Sequence, residues 1–429
     1  MELFERPKSG ERAVLVHVDF SAEHTREDVQ EFEMLATSAG AVISALVRGA
    51  RQHPDPKFFV GSGKVDEIKA TLDAEQADLV IFNHILSPSQ ERNLEKALEC
   101  RVLDRTGVIL DMFAQRARTH EGKLQVELAQ LEHLSTRLIR GWTHLERQRG
   151  GIGLRGPGET QLETDRRLIR HRISAIQKRL GQVRKQRDQA RRARKRNEVP
   201  TVSLVGYTNA GKSTLFNRIT QSDVYAANQL FATLDPTLRR IEIGDVGTVV
   251  LADTVGFIRH LPHKLVESFR ATLEESRESD LLLHVVDACA DEREDNIFQV
   301  NEVLKEIGAD QLPVLMIYNK IDLMGEVPPR VDRDEEGVAQ AVWLSARTGE
   351  GIALLIDVLR ERLGKDMVDT DLRLSPVMGQ LRATLYRLQA VASEEVDEFG
   401  DWCMHVRVPR KDLEQAMKKQ GVSLEDISL

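Results

Sequence analysis

The sequence predicts a multidomain α/β protein with four parts: an N-terminal α/β domain, a long antiparallel helical hairpin, a central domain with a mainly parallel sheet, and a small α+β C-terminal domain. Its 429 residues exceed what one core ordinarily organises. Apolar strand-like runs alternate with helical spacing in two separate stretches, which is typical of parallel sheets with crossover helices. Between these stretches lie two long amphipathic segments around a Gly/Pro-rich break.

The first part, residues 1–112, is predicted to be a small α/β domain with a largely parallel sheet. Strand patterns occupy the runs at 13–18, 41–46, 58–61, 78–82 and 101–104. Helical spacing occupies residues near 26–38, 64–75 and 88–99.

The second part, residues 113–198, is predicted to be the helical hairpin. Apolar residues recur at helical spacing from Leu124 to Leu138 and from Leu162 to Val183, on either side of the sequence GGIGLRGPGET. Between positions 137 and 198 there are 19 Lys and Arg against 6 Asp and Glu, a net charge of +13. The whole chain carries −8, which leaves −21 for the rest. One basic segment on an acidic protein indicates a large, structured polyanion as its partner.

Basic residues of this hairpin are the candidates for RNA contacts. Arg155 lies in the glycine-rich loop, and the others lie in the dense basic run near its end. They are Arg184, Lys185, Arg187, Arg191, Arg192, Arg194, Lys195 and Arg196. A solvated helix face is the alternative interpretation. Contacts with phosphates position a protein on RNA without reading sequence, and they weaken steeply with salt.

The third part, residues 199–367, contains a phosphate loop, because residues 206–213 read GYTNAGKS between a strand and a helix. Backbone N–H groups of such a loop cradle phosphates, and the helix that follows adds its N-terminal polarity. We expect Lys212 to bridge the β- and γ-phosphates and Ser213 to ligate Mg²⁺. The nucleotide-binding residues predicted here are Gly206, Tyr207, Thr208, Asn209, Ala210, Gly211, Lys212, Ser213 and Thr214.

Residues 319–322 read NKID, which predicts guanine as the base. The Asp322 carboxylate can accept hydrogen bonds from N1–H and the 2-amino group of guanine. Adenine lacks this donor pair and would leave the carboxylate unpaired. Asn319 is expected to brace the phosphate loop, and Lys320 to pack over the purine. The sequence SAR follows, in which the backbone of Ser345 and Ala346 is expected to donate to guanine O6.

Two further elements complete the predicted nucleotide site. Asp253 and Gly256 belong to the sequence DTVG, where the aspartate is expected to hold Mg²⁺ through water and the glycine amide to contact the γ-phosphate. The polar segment FATLDPT lies between this element and the phosphate loop, and we predict that it is a mobile switch segment. Thr233 is our candidate to close over Mg²⁺, and Thr237 is the competing choice.

The residue that would orient the attacking water is unknown. Phe257 follows DTVG, where Ras-like proteins place a glutamine, and a phenyl ring can neither donate nor accept a hydrogen bond. Intrinsic hydrolysis should therefore be slow without outside help. Asn209 is a candidate K⁺ ligand, since asparagine at this point of a phosphate loop often serves that purpose; the alternative is a loop-stabilising amide.

A second glycine-rich segment, FVGSGKVDEI, lies in the N-terminal domain. It lacks the full phosphate-loop spacing, so a strand-to-helix turn is one interpretation. An auxiliary anion or nucleotide site around Gly61, Gly63 and Lys64, with ATP as its ligand, is the other.

The remaining features restrict the class of protein. The three cysteines form no CxxC pair and indicate buried thiols in a reducing cytoplasm. The apolar runs are too short to span a bilayer, and the charged N-terminus does not resemble a signal peptide. The 12 histidines show no metal-ligand spacing, so Mg²⁺ is the one metal expected besides K⁺.

The fourth part, residues 368–429, is predicted to contain a strand pair around FGDW and a final helix near 410–420.

With these motifs together, the sequence resembles the HflX family, ribosome-associated members of the Obg–HflX group of P-loop GTPases. The segment GGIGLRGPGETQLETDRR carries the resemblance most specifically, with support from FVGSGK, DRTGVILDMFAQRARTHEGKLQVELAQL, GYTNAGKSTLFN, FATLDPT, DTVGFI and NKID. The resemblance covers nearly the whole chain and is weakest over the last 60 or so residues. A hydrophobic residue in place of the catalytic glutamine is also a family feature.

The resemblance implies a monomeric GTPase, stimulated by the ribosome, that binds the large ribosomal subunit and its rRNA through the hairpin loop. In the GTP state it would split stalled or idle ribosomes under stress, and hydrolysis to GDP would release it. Two alternatives stay open. One is a GTPase that checks assembly of the large subunit, and the other is an ATP-dependent RNA remodeller that uses the N-terminal domain.

Overall fold

The computed structural model describes residues 10–20, 29–137, 161–196, 199–221, 230–231, 233–258, 276–325, 327–364, 367–388, 390–418, 420, 422 and 427. The chain forms two compact units. The first extends to Ile241 and resumes at Val249–Ile352, and the second comprises Glu242–Thr248 and the chain from Ala353 onward. Among the described residues, no helix combines the length and apolar character needed to cross a bilayer.

The N-terminal part of the first unit is built on a four-stranded sheet. Its strands are Arg12–Phe20 (β1), Val42–Arg51 (β2), Leu79–Phe82 (β3) and Arg101–Leu103 (β4). Its helices are Val29–Ser38 (α1), Ser62–Glu75 (α2), Pro88–Leu98 (α3) and Arg105–Arg116 (α4). All pairings in the order β2-β1-β3-β4 are parallel, as the alternation of patterns predicts.

Local sequence signals fix several of these boundaries. Ser87 begins α3 with a reciprocal capping box to Gln90, and Asp104 begins α4 by accepting the amide hydrogen of Gly107 at 2.7 Å. The strand expected at 58–61 is wrong. The segment is a tight turn, in which the Asp55 carboxylate accepts the amide hydrogen of Phe58 at 3.0 Å and Phe59 has a φ of +65°.

The predicted hairpin consists of His120–Arg137 (α5) and Gln161–Arg196 (α6). Arg172 contacts Glu127 at 2.7 Å, and Arg187 contacts Glu121 at 2.7 Å. The partner on α6 has a higher residue number in the second pair, whereas the partner on α5 has a lower one. The two helices are therefore antiparallel. Their apolar faces pack together through Leu124, Leu128, Leu131, Ile169 and Ile176. The glycine-rich loop at 150–160 lies outside the described residues.

The central sheet has seven strands in the order β10-β11-β9-β8-β5-β7-β6. These are Thr201–Val205 (β5), Thr237–Ile243 (β6), Gly247–Asp253 (β7), Leu281–Asp287 (β8), Val314–Asn319 (β9), Arg330–Arg333 (β10) and Ala339–Trp343 (β11). Its helices are Lys212–Thr220 (α7) and Arg293–Glu306 (α8). The pairings of β5 with β7 and β8, and of β9 with β8 and β11, are parallel. The phosphate-loop residues therefore follow a central strand, where ligands of open parallel sheets bind.

The second unit contains Ile352–Leu363 (α9) and a three-stranded antiparallel sheet in the order β12-β14-β13. The strands are Met367–Leu374 (β12), Val391–Val396 (β13) and Trp402–Pro409 (β14), and the helices are Gly379–Arg387 (α10) and Arg410–Lys418 (α11). The strand pair around FGDW and the final helix are both present, and the helix ends at Lys418.

Candidate functional site

The phosphate loop is held in shape by its own lysine. Lys212 Nζ donates hydrogen bonds to the carbonyl oxygens of Gly206 at 3.0 Å and Tyr207 at 2.7 Å. Burial lowers the pKa of Lys212 to about 8, and the neighbouring Asp253 carboxylate opposes this shift. Ser213 and Thr214 occupy the first turn of α7, whose N-terminus points its free amides at the loop.

Asn319 connects the phosphate loop to the loop that carries Ala346, which is predicted to contact guanine. Its side-chain amide donates to the carbonyl of Ala210 at 2.8 Å and accepts the amide hydrogen of Ala346 at 2.9 Å. Gly211 has a φ of +97°, and a Cβ there would lie 2.2 Å from Asn319 Nδ2. Only glycine therefore permits this close approach.

The carboxylate of Asp322 is positioned by two neighbours. Ser345 Oγ donates to Oδ1 at 2.6 Å, and the exposed guanidinium of Arg347 lies 2.5 Å from Oδ2. Partial burial raises the pKa of Asp322, but these hydrogen bonds and the cation outweigh it and hold the pKa below its usual range. The carboxylate is thus ionised, as guanine recognition requires. Lys320 is fixed nearby by an ion pair with Asp287 at 2.7 Å.

Three oxygen-bearing side chains converge where Mg²⁺ is expected. Ser213 Oγ lies 2.7 Å from Thr233 Oγ1, which donates to Asp253 Oδ2 at 2.8 Å. Asp253 is fully buried, and its Oδ1 has no hydrogen-bond partner. Hydroxyl and carboxylate oxygens of this kind fit Mg²⁺, which prefers oxygen ligands and keeps several waters. Thr233 thus lies at this point, whereas Thr237 begins β6.

Phe257 turns away from solvent into the core. Its side chain is 1% exposed, and it belongs to an apolar cluster that also contains Phe113 and Leu234. Its backbone pairs with the phosphate loop, because its N–H donates to Gly206 O at 3.1 Å and its carbonyl accepts from Thr208 N at 2.7 Å.

No local pattern in the sequence indicates the contact between the phosphate loop and the N-terminal domain. The hydroxyl of Tyr207 donates to the carboxylate of Glu31 on α1. Glu31 also forms a buried ion pair with Arg105 at 2.5 Å, and Arg105 donates to Asn83 Oδ1 at 2.6 Å. These partners are up to 176 residues apart, so local patterns could not reveal them.

A second unforeseen contact holds the switch segment. The Asp235 carboxylate accepts the amide hydrogens of Arg118 at 2.8 Å and Thr119 at 2.9 Å, just before α5. Arg116 donates to the carbonyl oxygens of Leu230 and Phe231, both at 3.2 Å. The ring of Phe231 also packs edge-on against Phe113 on α4, with 4.8 Å between centroids.

The structure describes the side chains of two candidate RNA-contacting residues, Lys185 and Arg187, both on α6. Lys185 is exposed, whereas Arg187 is engaged with Glu121. Arg155 lies outside the described residues. The side chains of the remaining candidates, Arg184, Arg191, Arg192, Arg194, Lys195 and Arg196, also lie outside them.

The second glycine-rich segment forms the start of α2. Lys64 Nζ donates to the carbonyl of Arg48 at 2.9 Å and pairs with Glu67 at 2.7 Å. Gly61 caps the helix with a φ of −72°, which any residue can adopt. These contacts favour a plain turn over an anion site, since the lysine is already engaged; the segment before α2 is the turn capped by Asp55 and not a strand.

Family profiles match three successive parts of the chain. The profile described as GTP-binding GTPase N-terminal matches residues 26–114, and the one described as GTP-binding GTPase Middle Region matches residues 116–194. The profile described as 50S ribosome-binding GTPase matches residues 201–320.

Curated relatives extend this likeness to nearly the whole chain. GTPase HflX of Escherichia coli (strain K12) is 60% identical over 97% of this chain and 98% of its own length. GTPase HflX of Magnetococcus marinus is 44% identical over 93% of both chains. Among solved structures, the SsGBP–GDP complex is 25% identical with a TM-score of 0.47, over 82% of this chain and 98% of that one.

Proposed function

The chain belongs to the HflX family of GTPases, and from this premise we propose that it is a ribosome-splitting factor. In its GTP state it binds the large ribosomal subunit and separates stalled or idle ribosomes under stress. Hydrolysis of GTP to GDP then drives its release. The observation that carries this proposal is the pair of hydrogen bonds that the Asp235 carboxylate accepts from Arg118 and Thr119, just before α5, because they join the switch segment to the basic hairpin.

The hairpin supplies the contact with rRNA in this proposal. Its net positive charge on an otherwise acidic chain favours a dense array of phosphates. Arg155 in the loop and Lys185 on α6 are the side chains we propose for these contacts, together with the cluster of arginines near the end of α6. Arg187 is the weakest of the candidates, because it is already paired with Glu121.

Hydrolysis by the protein alone is proposed to be slow and to be stimulated on the ribosome. The buried ring of Phe257 supports this, since it cannot position a water molecule. Mg²⁺ would neutralise developing charge on the phosphates when bound. Ser213, Thr233 and Asp253 are the side chains that would hold it.

K⁺ is proposed as a second cation beside Asn209, whose left-handed backbone, with a φ of +60°, turns the loop there. Hydrolysis should then be faster in KCl than in NaCl at equal ionic strength. Equal rates in the two salts would remove K⁺ from the proposal.

Sedimentation of intact 70S ribosomes through a sucrose gradient tests the function. The protein is added with a nonhydrolysable GTP analogue, with GDP, or with neither, and Lys212→Ala serves as the control. We expect the subunits to separate when wild-type protein is added with the GTP analogue, but not with GDP or without nucleotide. Lys212→Ala should not separate them in any of the three conditions. Intact ribosomes, with the protein co-migrating only with free large subunits, would instead favour an assembly GTPase.

ATP use by the N-terminal domain is a separate reaction and needs a separate measurement. If Lys64 contacts ATP, Lys64→Ala should abolish ATP hydrolysis while GTP hydrolysis persists. Because Lys64 already contacts the Arg48 carbonyl and the Glu67 carboxylate, we expect Lys64→Ala to cause no loss of ATP hydrolysis.

A further inference from the structure

The loop at residues 345–351 positions the carboxylate that is expected to read guanine. Ser345 Oγ donates to Asp322 Oδ1 at 2.6 Å, and the guanidinium of Arg347 lies 2.5 Å from Oδ2. Each oxygen of the carboxylate is therefore held by a side chain of this one loop. Because these side chains extend from the loop's backbone, the carboxylate keeps its direction only while that backbone is held in place.

Arg218 on α7 holds that backbone. Its Nε donates to the carbonyl oxygen of Ala346 at 3.3 Å, and its Nη2 donates to the carbonyl oxygen of Arg347. The guanidinium also lies over the turn that follows, since a Cβ on Gly349 would be 3.7 Å from Arg218 Cζ. A planar guanidinium carries several N–H donors in fixed directions, which suits two successive carbonyl oxygens.

Ala346 is thus fixed from both sides. Its N–H donates to Asn319 Oδ1 at 2.9 Å, while its carbonyl accepts from Arg218. Asn319 also donates to the phosphate loop at the Ala210 carbonyl, at 2.8 Å. Arg218 lies on the helix that begins with Lys212, the lysine of the phosphate loop. It therefore joins the phosphate side of the site to the loop at residues 345–351 by a second route.

We propose that Arg218 is a positioning residue for guanine recognition. It keeps residues 346–347 in place, so that the side chains of the loop direct the Asp322 carboxylate at the base. Without Arg218, the carboxylate loses its fixed direction and gains less from the 2-amino group of guanine. Arg218 acts through the loop and is assigned no contact with the nucleotide. The inference rests on guanine-nucleotide binding by this site and does not require ribosome splitting.

The affinities of the purified protein for GDP and inosine diphosphate (IDP) test this role. The base of IDP keeps N1–H and O6 but lacks the 2-amino group, so the ratio of the two dissociation constants measures what the site gains from that group. Wild-type protein should bind GDP about tenfold or more tightly than IDP. Both nucleotides carry the same phosphates, so a change in net charge or in the phosphate loop would affect them equally.

Arg218→Ala should weaken GDP binding about 5- to 20-fold and IDP binding by no more than about threefold, as measured by isothermal titration calorimetry. The ratio should therefore fall. Arg218→Met keeps an unbranched stem that can pack over Gly349 but donates no hydrogen bond, so its ratio should be as low as that of Arg218→Ala. Equal losses for GDP and IDP, or a Met variant with the wild-type ratio, would overturn the proposal.

A double-mutant cycle tests whether Arg218 acts through the loop. Ser345→Ala removes one of the two side chains that direct Asp322. If Arg218 acts through them, Arg218→Ala should lower the ratio less in the Ser345→Ala background than in the wild type. Two losses that multiply fully would mean that Arg218 and Ser345 act independently, which would contradict the assigned route.

Discussion

Thr119 donates its hydroxyl hydrogen to Asp235 Oδ1 at 2.5 Å, which joins the segment before the basic hairpin to the switch segment of the nucleotide site. The contact is tight, since a Cβ on Gly122 in the first turn of α5 would lie 2.0 Å from the same oxygen. Thr233, two residues before Asp235, bonds to Asp253 at the expected Mg²⁺ site. We therefore predict that a change in the nucleotide that moves Thr233 also strains the contact between Asp235 and Thr119.

Replacement of Asp235 should uncouple the nucleotide from the hairpin. Asp235→Ala removes the acceptor of the backbone N–H groups of Arg118 and Thr119, and we expect a loss of about 1–2 kcal/mol in the free energy of unfolding. The preference of large-subunit binding for the GTP analogue over GDP should also fall. Thr119→Val removes the hydroxyl that donates to Asp235 and accepts from the Gly122 amide at 2.9 Å, but it keeps both backbone contacts with Asp235 and should change the nucleotide preference less. Urea denaturation and subunit-binding assays measure the two effects.

Removal of Glu31 should cost far more stability than removal of the Tyr207 hydroxyl. Glu31→Ala leaves the buried Arg105 cation without its carboxylate, a change that ordinarily costs about 3–5 kcal/mol. Tyr207→Phe leaves the ion pair intact and should cost about 1 kcal/mol. Comparable losses for the two variants in urea denaturation would show that the hydroxyl contact, rather than the ion pair, holds these elements together.

Glutamine at position 257 should not restore fast hydrolysis. The side chain lies in the apolar core, so Phe257→Gln would bury an amide there and should cost about 3 kcal/mol of stability. Phe257→Leu, which remains apolar, serves as the control and should be milder. Hydrolysis rates and thermal unfolding of both variants are the measurements. Faster hydrolysis by the Gln variant would mean that this side chain reaches the phosphates.

Glu91 should make stability depend on pH where the last residue of α5, Arg137, contacts α3. Burial raises the pKa of Glu91 from 4.5 to about 7, although Arg137 opposes the shift at 2.6 Å. The folded protein therefore keeps this proton up to about pH 7, whereas the unfolded chain releases it near pH 4.5. The contribution of Glu91 to the free energy of unfolding is therefore largest below pH 4.5 and is lost as the pH rises through 7.

Glu91→Gln removes that titration and serves as the comparison. The difference in free energy of unfolding between wild type and Glu91→Gln should shrink or reverse as pH rises from 4.5 to 7. A difference that stays constant over this range would mean that Glu91 has the same pKa in both states.

Local motifs predicted the parts of the site that are contiguous in sequence. The loop from Gly206 to Ser213 and the tetrapeptide from Asn319 to Asp322 each need only a strand end and a few fixed neighbours, so spacing suffices. The contact of Glu31 with Tyr207 and the contacts of Asp235 with Arg118 and Thr119 join residues more than 100 positions apart. Their partners are ordinary polar residues, and no local pattern distinguishes them from solvated ones.

The errors in the predicted fold have a similar cause. Phe59 and Val60 are buried and read as part of a strand, but Asp55 caps the turn that buries them. The edge strands β6 and β10 were not predicted either. β6 contains two adjacent arginines that break the alternation, and β10 has only four residues, so pairing in the sheet, rather than the sequence pattern, decides their conformation.

The affinity of the protein for purified large ribosomal subunits in two nucleotide states tests the central claim most directly. Binding is measured at one fixed salt concentration, because phosphate contacts depend on it. If the nucleotide controls the hairpin, affinity with the nonhydrolysable GTP analogue should exceed affinity with GDP by about tenfold or more. Equal affinities in the two states would contradict the account, because a nucleotide that leaves the affinity unchanged cannot time binding or release.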